Sequence, residues 1–149
     1  MRKKQYRQGV NCIIVDKDNQ FLVIQLQQYG SHQWKFVGGG IEVNESVVEA
    51  AYREIREETN ILRSDLTLIG ESKHIQQYDF PKELKITKKF KGQKKHQFVF
   101  QFIGNKNSIV IQQAELKNYK WIPKKELKKY LVFLGQFENA QKIITEFSL

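Results

Sequence analysis

The stretch GGGIEVNESVVEAAYREIREETNI, residues 38–61, decides the fold of this chain. Three glycines open it, and glycine permits tight turns and a close approach of the main chain to a ligand. Residues 45–59 then show helical periodicity, with an apolar stripe that should face a core. The stripe consists of Val47, Val48, Ala51 and Ile55. The stretch therefore predicts a glycine loop followed directly by an amphipathic helix.

The predicted helix carries a cluster of carboxylates. At about 100° per residue, Glu54, Glu57 and Glu58 share an arc of roughly 100° beside the apolar stripe. Glu54 and Glu58 are like charges one turn apart, an arrangement that destabilises a helix unless a cation lies among them. Clustered carboxylate oxygens are suitable ligands for magnesium or manganese. The spacing is therefore compatible with a divalent metal site.

A solvated charged helix face is the alternative interpretation. Glu49 with Arg53, and Arg53 with Glu57, are favourable neighbours one turn apart. On the same helical wheel, Arg53 and Arg56 are expected to point toward solvent. Helix chemistry alone leaves both interpretations open.

Charge is distributed unevenly in this chain of 149 residues with a net charge of +9. Residues 42–58 hold six glutamates and only two arginines. A basic excess suggests an anionic partner, whether nucleic acid, nucleotide or acidic protein. No apolar run approaches the roughly 20 residues of a membrane span, so no membrane partner and a cytoplasmic location are expected. The single cysteine, Cys12, is expected to be a small buried hydrophobe.

Strands interleaved with helices predict an α/β (α+β) domain in which a mixed sheet packs between helices. No linker or repeat interrupts residues 1–149, so one domain is expected. Strands are predicted at 9–15, 21–26, 34–37, 66–75, 96–103 and 119–122. Helices are predicted at 45–59 and 137–147, with a short helix after Pro123, and a polar connection at 76–95. Trp34 and Phe36 are expected to pack in the core.

The spacing in the opening stretch resembles the Nudix box. That box has a Gly, five residues, a Glu, seven residues, Arg-Glu, an aliphatic residue, any residue, Glu-Glu, any residue, Gly and an aliphatic residue. The matching positions are Gly39, Glu45, Arg53, Glu54, Ile55, Glu57, Glu58 and Ile61. Asn60 stands where the family has Gly, and Asn is the best substitute in the left-handed conformation that ends a helix. The chain thus resembles the Nudix hydrolases, which implies an α/β/α sandwich that cuts diphosphate linkages.

The resemblance implies roles for individual residues. Glu54, Glu57 and Glu58 would bind Mg²⁺ or Mn²⁺, and Glu54 or another carboxylate would activate the attacking water. Arg53 would pair with the helix carboxylates, Glu45 would assist the metal site, and Gly39 would keep the loop tight. The remaining implied residues are Glu115 as a further metal ligand, and Gly40, Arg7, Lys35, Tyr78, Phe80 and Lys94 as substrate contacts.

Most of the chain is similar to the branch of RNA pyrophosphohydrolases and dinucleoside polyphosphate hydrolases. The similarity rests on the segments Tyr6-Arg7, Trp34-Lys-Phe36, Tyr78-Asp-Phe-Pro81 and Gly92-Gln-Lys-Lys95. The chain departs from that branch in two places. Val37 and Gly38 replace a Pro-Gln pair before the box, and Gln27 and Gln28 stand where RNA pyrophosphohydrolases have arginines.

Four functions follow from the resemblance. The leading expectation is hydrolysis of dinucleoside polyphosphates such as diadenosine tetraphosphate, because Tyr78 and Phe80 suit stacking on a base. The first alternative is removal of pyrophosphate from RNA 5′ ends, which the basic charge favours and Gln27 and Gln28 disfavour. The others are cleavage of nucleoside triphosphates and a non-catalytic nucleotide-binding module. The lysines of residues 82–95 are expected either to attract phosphates or only to solubilise a loop.

Overall fold

The apolar runs of the sequence form one seven-stranded sheet in the computed structural model, which describes residues 3–149. Residues 1 and 2 of the predicted domain lie outside that range. The strands are β1 (Tyr6–Val15), β2 (Gln20–Leu26), β3 (Val37–Gly40), β4 (Leu66–Glu71), β5 (Gln76–Asp79), β6 (Gly92–Phe102) and β7 (Leu116–Pro123). Their order is β4-β6-β1-β2-β7, while β3 pairs with β1 and β5 pairs with β6. Only β1 and β6 run parallel, so the sheet is mixed.

Helices cover both faces of the sheet. They are α1 (Val47–Thr59), α2 (Lys82–Thr87), α3 (Leu127–Tyr130) and α4 (Gln136–Phe147). Ala51 and Ile55 of α1 belong to one buried cluster, whereas Leu127 of α3 and Ile143 of α4 belong to the cluster on the other face. The predicted mixed sheet between helices is confirmed.

The two parallel strands form the buried centre of the sheet. Seven consecutive residues at the end of β1 are buried, as expected for a strand covered on both faces. A polar side chain, Gln97 of β6, lies fully buried among them. The Gln97 Oε1 atom accepts a hydrogen bond from Asn11 Nδ2 of β1 at 2.9 Å, and Gln97 Nε2 donates to Asn139 Oδ1 of α4 at 2.9 Å. These hydrogen bonds compensate for the burial of the amide.

Helix α1 has clear start and stop signals. The Ser46 hydroxyl accepts a hydrogen bond from the Glu49 backbone N–H at 3.2 Å, a standard N-cap. Asn60 ends the helix in the left-handed region, with φ of 62°, and its N–H donates to the Arg56 carbonyl. The sequence-based expectation for Asn60 is therefore confirmed.

Three parts of the predicted organisation are wrong. The strand predicted at 34–37 lies at Val37–Gly40, so the glycines of the predicted loop form the end of β3, and the name glycine loop is kept for Gly38–Gly40. Residues 76–95 are not merely a polar connection, because they contain β5, α2 and the first residues of β6. The side chains on both faces of β5 and of the first residues of β6 are mostly polar, so no apolar alternation marks them. The strand predicted at 66–75 ends early, at Glu71. Cys12, Trp34 and Phe36 are buried as predicted.

None of the helices in residues 3–149 combines the length and apolar character that crossing a bilayer requires.

Replacing Asn60 with Ala should lower the free energy of unfolding by about 1 kcal/mol, because Cβ sterics disfavour a left-handed alanine. Asn60→Gly should be neutral or slightly stabilising. Urea denaturation measures both changes, with Arg56→Ala on the exposed surface of α1 as the control. Equal stability of Asn60→Ala and the wild type would contradict the role given to this position.

Candidate active site

The glycine loop lies against the carboxylates of α1. Strand β3 pairs with β1 from Gly9↔Gly40 to Cys12↔Val37, which brings Gly39 to the helix. A Cβ atom on Gly39 would overlap the Glu54 carboxylate, so no other residue permits this approach. The Gly38 N–H donates to Glu58 Oε1 at 2.9 Å. Backbone and carboxylates thus form one surface.

Arg53 joins the loop to the helix. Its guanidinium donates to both carboxylate oxygens of Glu45, at 2.6 and 2.9 Å, and to the Gly40 carbonyl at 2.8 Å. It also contacts Glu54 at 3.0 Å and Glu57 at 3.2 Å. Arginine suits this position because its planar fork offers five donors.

The predicted solvent-facing direction of Arg53 is wrong, because only 21% of its side chain is exposed. The predicted pair with Glu57 is present, whereas Glu49 pairs instead with Arg63 at 3.1 Å. Arg56 is exposed as expected. The Glu45 and Gly40 acceptors lie before the helix, so helical spacing alone could not reveal that they draw Arg53 inward.

Burial raises the proton affinity of two carboxylates. The side chain of Glu58 is almost fully buried, and desolvation raises its pKa to about 7. The Lys35 ammonium and the Gly38 N–H act against that rise. The pKa of Glu54 is also raised, mainly by desolvation, although Arg53 opposes the shift. A neighbouring positive charge would stabilise the ionised form of both carboxylates.

Glu45 and Glu115 sit at opposite ends of this acidic surface. The hydrogen bond from Arg53 lowers the pKa of Glu45, which keeps that carboxylate ionised. Glu115 is exposed in the turn before β7, and its charge contributes to the raised pKa of Glu58. The structure therefore brings Glu115 toward the carboxylates of α1.

Three cations face the same loop. The Arg7 guanidinium lies against Gly40, so close that a Cβ there would overlap it. The Lys35 ammonium is 3.4 Å from the Gly38 carbonyl oxygen. Lys95 lies across from Gly9 in the sheet, and burial together with Lys35 lowers the pKa of Lys95 to about 7.

The structure separates Lys94 from Lys95. Successive side chains of a strand point to opposite faces, so Lys94 points away from the face that carries Lys95. Lys94, the predicted substrate contact, remains a prediction, whereas Lys95 and Gly9 lie next to the glycine loop although the sequence gave neither a role. A glycine inside a strand often marks a close approach of two backbones, and Gly9 carried that signal.

An aromatic pair borders the cations. Tyr78 and Phe80 have ring centroids 6.3 Å apart in an edge-to-face arrangement. Tyr78 is 41% exposed, and Arg7 is close enough to act electrostatically on its hydroxyl. The two predicted aromatic contacts therefore lie beside Arg7, at one side of the glycine loop.

The donor set of α1 fits a hard divalent cation. Glu54 and Glu58 present carboxylate oxygens in a partly desolvated place that favours added positive charge. Across residues 3–149, no three acidic, His or Cys side chains already converge in metal-binding geometry. Arg53 holds Glu54 and Glu57, and the Glu57 side chain is 53% exposed. Of the three predicted ligands on α1, Glu57 is the most exposed and Glu58 the most buried.

Comparison with known proteins places this geometry in context. The family model described as NUDIX domain matches residues 5–144. The RNA pyrophosphohydrolase of Zymomonas mobilis subsp. mobilis is 29% identical over 153 aligned positions, covering 99% of this chain and 98% of that protein. The RNA pyrophosphohydrolase of Pelagibacter ubique is 33% identical over 148 positions, covering 96% of this chain and 84% of that protein.

Solved structures share the fold at lower identity. A Caenorhabditis elegans Ap4A hydrolase in a binary complex superposes with a TM-score of 0.75 at 20% identity, covering 95% of this chain and 98% of that chain. The Escherichia coli dihydroneopterin triphosphate pyrophosphohydrolase superposes with a TM-score of 0.76 at 20% identity, covering 96% of this chain and 99% of that chain. These similarities confirm the arrangement of sheet and helices.

Replacing Arg53 with Lys should lower the free energy of unfolding by about 1–2 kcal/mol, because an ammonium cannot bond Glu45 and Gly40 together. Thermal or urea denaturation measures the loss. Arg56→Lys, on the exposed side of α1, is the matched control. If both variants lose the same stability, Arg53 does not join the loop to the helix.

Glu58 should make the stability of the metal-free protein depend on pH. Because the pKa of Glu58 is raised to about 7 in the folded state, the protonated carboxyl adds to the free energy of unfolding below about pH 4.5. This stabilisation is lost as the pH rises through 7. Glu58→Gln should therefore match the wild type near pH 5 and exceed its stability by roughly 2–3 kcal/mol at pH 8.

Denaturation in the presence of a chelator, repeated from pH 5 to pH 8, measures this dependence. Glu138→Gln, on the exposed surface of α4, should keep the wild-type slope. A constant difference between Glu58→Gln and the wild type across that range would contradict the buried-carboxylate explanation.

Proposed function

This chain belongs to the Nudix family, and from that premise we propose that it removes pyrophosphate from the 5′ end of triphosphorylated RNA. Water attacks at the α–β phosphoanhydride, that bond breaks, and the products are pyrophosphate, a 5′-monophosphorylated RNA and a proton. The full-length relatives named RNA pyrophosphohydrolase support this choice of substrate.

One observation of the site carries the proposal. Partly desolvated carboxylates, Glu54 and Glu58, lie against the glycine loop, and the cations Arg7 and Lys35 lie against the same three glycines. A diphosphate with divalent cations would complement both kinds of charge, because cations would satisfy the carboxylates and the basic side chains would bind phosphate oxygens.

We assign the metal ligands to Glu54, Glu57 and Glu58, with Glu115 as a further ligand at the end of the acidic surface. Magnesium is the proposed ion, and manganese would suit the same oxygen ligands. When bound, the ion neutralises phosphate oxygens and makes water more acidic.

The chain's own residues prepare the site for that chemistry. Glu45 and Arg53 orient the carboxylates, while Gly39 and Gly40 let the Glu54 carboxylate and the Arg7 guanidinium lie against the loop. Glu54 is the proposed acceptor of the proton from the attacking water, because its carboxylate lies against the loop and its pKa is raised.

Charge outside the site also supports an RNA substrate. The net charge of +9 favours a polyanion. Gln27 and Gln28 replace expected arginines, but a cation lies next to them in space, since the Lys117 ammonium bonds to the Tyr29 carbonyl. Lys117 of β7 thus supplies a positive charge at the end of β2. RNA 5′ ends as substrate also imply a cytoplasmic place of action.

Hydrolysis of dinucleoside polyphosphates, the leading expectation from the sequence, is the second candidate. The exposed Tyr78 beside Arg7 favours it, because an aromatic face next to a phosphate-binding cation suits a nucleotide base. For either substrate we propose that the chain acts as a single domain, because both buried clusters share β1, β2 and β6.

Glu57→Gln should lower pyrophosphate release from triphosphorylated RNA by at least about a hundredfold, because a metal ligand is lost. Arg56→Gln, the neighbouring exposed position, should retain wild-type turnover. The assay uses purified protein with magnesium, and product identification separates pyrophosphate from single phosphate. In parallel, diadenosine tetraphosphate is tested at the same concentration.

Faster turnover of RNA than of the dinucleotide supports the proposal. Faster turnover of the dinucleotide, with ATP and AMP as products, would favour the second candidate. Turnover of neither substrate by the wild type would reject both and favour a nucleotide-binding module.

A further inference from the structure

Lys95 lies next to the glycine loop, and neither the Nudix box nor the resemblance of the Gly92-Gln-Lys-Lys95 segment gave it a role. Gly9 of β1 lies opposite Gly40 of β3 and opposite Lys95 of β6. A Cβ on Gly9 would lie 2.8 Å from the Gly39 carbonyl oxygen and 3.6 Å from Lys95 Cγ. The missing side chain at Gly9 therefore lets the loop carbonyl approach β1, and the Lys95 stem lies at van der Waals distance from the same point.

The ammonium of Lys95 is held among charges of both signs. Arg7 and Lys35 repel it and Glu58 attracts it, and these three are its strongest electrostatic neighbours. No hydrogen bond or ion pair to Lys95 occurs within the part of the chain that the structure describes. The side chain is partly exposed, so an anion from solvent reaches an ammonium that no protein carboxylate pairs with in the described residues.

We propose that Lys95 is a substrate-binding residue whose ammonium, together with Arg7, binds the oxygens of the polyphosphate beside the glycine loop. A polyphosphate supplies several negative charges at a place where three cations lie close together. Arg7 lies against Gly40, Lys35 against Gly38, and Lys95 next to Gly9 of the adjacent strand. This assignment rests on the proposed function, since it places the phosphates at the glycine loop.

Lys95 also differs from Lys94 in a way that sequence spacing conceals. Both lysines belong to the same basic segment, but only Lys95 shares a face of the sheet with Gly9 and Gly40. Lys94 is the register partner of Gln77 in β5, and its side chain points to the opposite face of the sheet. The alternation of side chains along β6 therefore favours Lys95, not Lys94, as the lysine next to the glycine loop.

The test measures binding of a nucleotide that cannot be cut at the α–β bond. Adenosine 5′-(α,β-methylene)triphosphate is titrated with magnesium into wild type, Lys95→Gln, Lys95→Arg and Lys128→Gln by calorimetry. We expect Kd to rise about tenfold in Lys95→Gln, as for loss of one charge-assisted hydrogen bond, and to stay within about threefold in Lys95→Arg.

Lys128→Gln removes the same formal charge from the exposed surface of α3, so it should bind as the wild type does. Thermal melting confirms that each variant is folded. With triphosphorylated RNA, Lys95→Gln should raise KM about tenfold and change kcat less, which a purely structural role would not produce.

Equal Kd values for Lys95→Gln and Lys128→Gln would overturn the assignment, and so would a wild type that does not bind the analogue. Failure of the wild type to hydrolyse RNA would reject the proposed function alone. In that case the analogue titration still decides whether Lys95 binds polyphosphate.

Discussion

The hydrogen bonds of one guanidinium hold this site together. Arg53 spans from α1 to Glu45 and to the Gly40 carbonyl, so it ties the helix to the loop that precedes it. It also lies between Glu54 and Glu57, whose like charges would otherwise repel. A lysine ammonium offers three donors at a single point, whereas the planar fork of arginine spreads five donors over acceptors in the loop and on the helix.

The acidic helix in a basic protein has a physical explanation in this arrangement. The carboxylates of α1 lie against the glycine loop, and Arg7, Lys35 and Lys95 lie close to the same loop. Within the described residues, no hydrogen bond or ion pair joins these three cations to the α1 carboxylates. A metal–phosphate complex carries both signs of charge, and it therefore complements both groups.

Glycines make these close approaches possible. Gly39 admits the Glu54 carboxylate, Gly40 admits Arg7, and Gly9 admits the Gly39 carbonyl oxygen. Each contact would be blocked by a Cβ atom or would require the neighbour to move. The glycines thus allow the carboxylate and the guanidinium to lie directly against the loop, while β1 supplies the rigid support because it is buried between two helical layers.

The sequence by itself determined the elements whose signals are local. The spacing from Gly39 to Ile61 predicted the helix and its carboxylates, and Asn60 marked the helix end, because caps and helical periodicity depend on neighbours within a few residues. Only the tertiary structure decided the direction of Arg53, the strand formed by the three glycines, the strands inside 76–95 and the placement of Lys95 on the face of Gly9 and Gly40. These features depend on pairing between β1, β3 and β6, and the register between distant strands is not encoded in the spacing along any one of them.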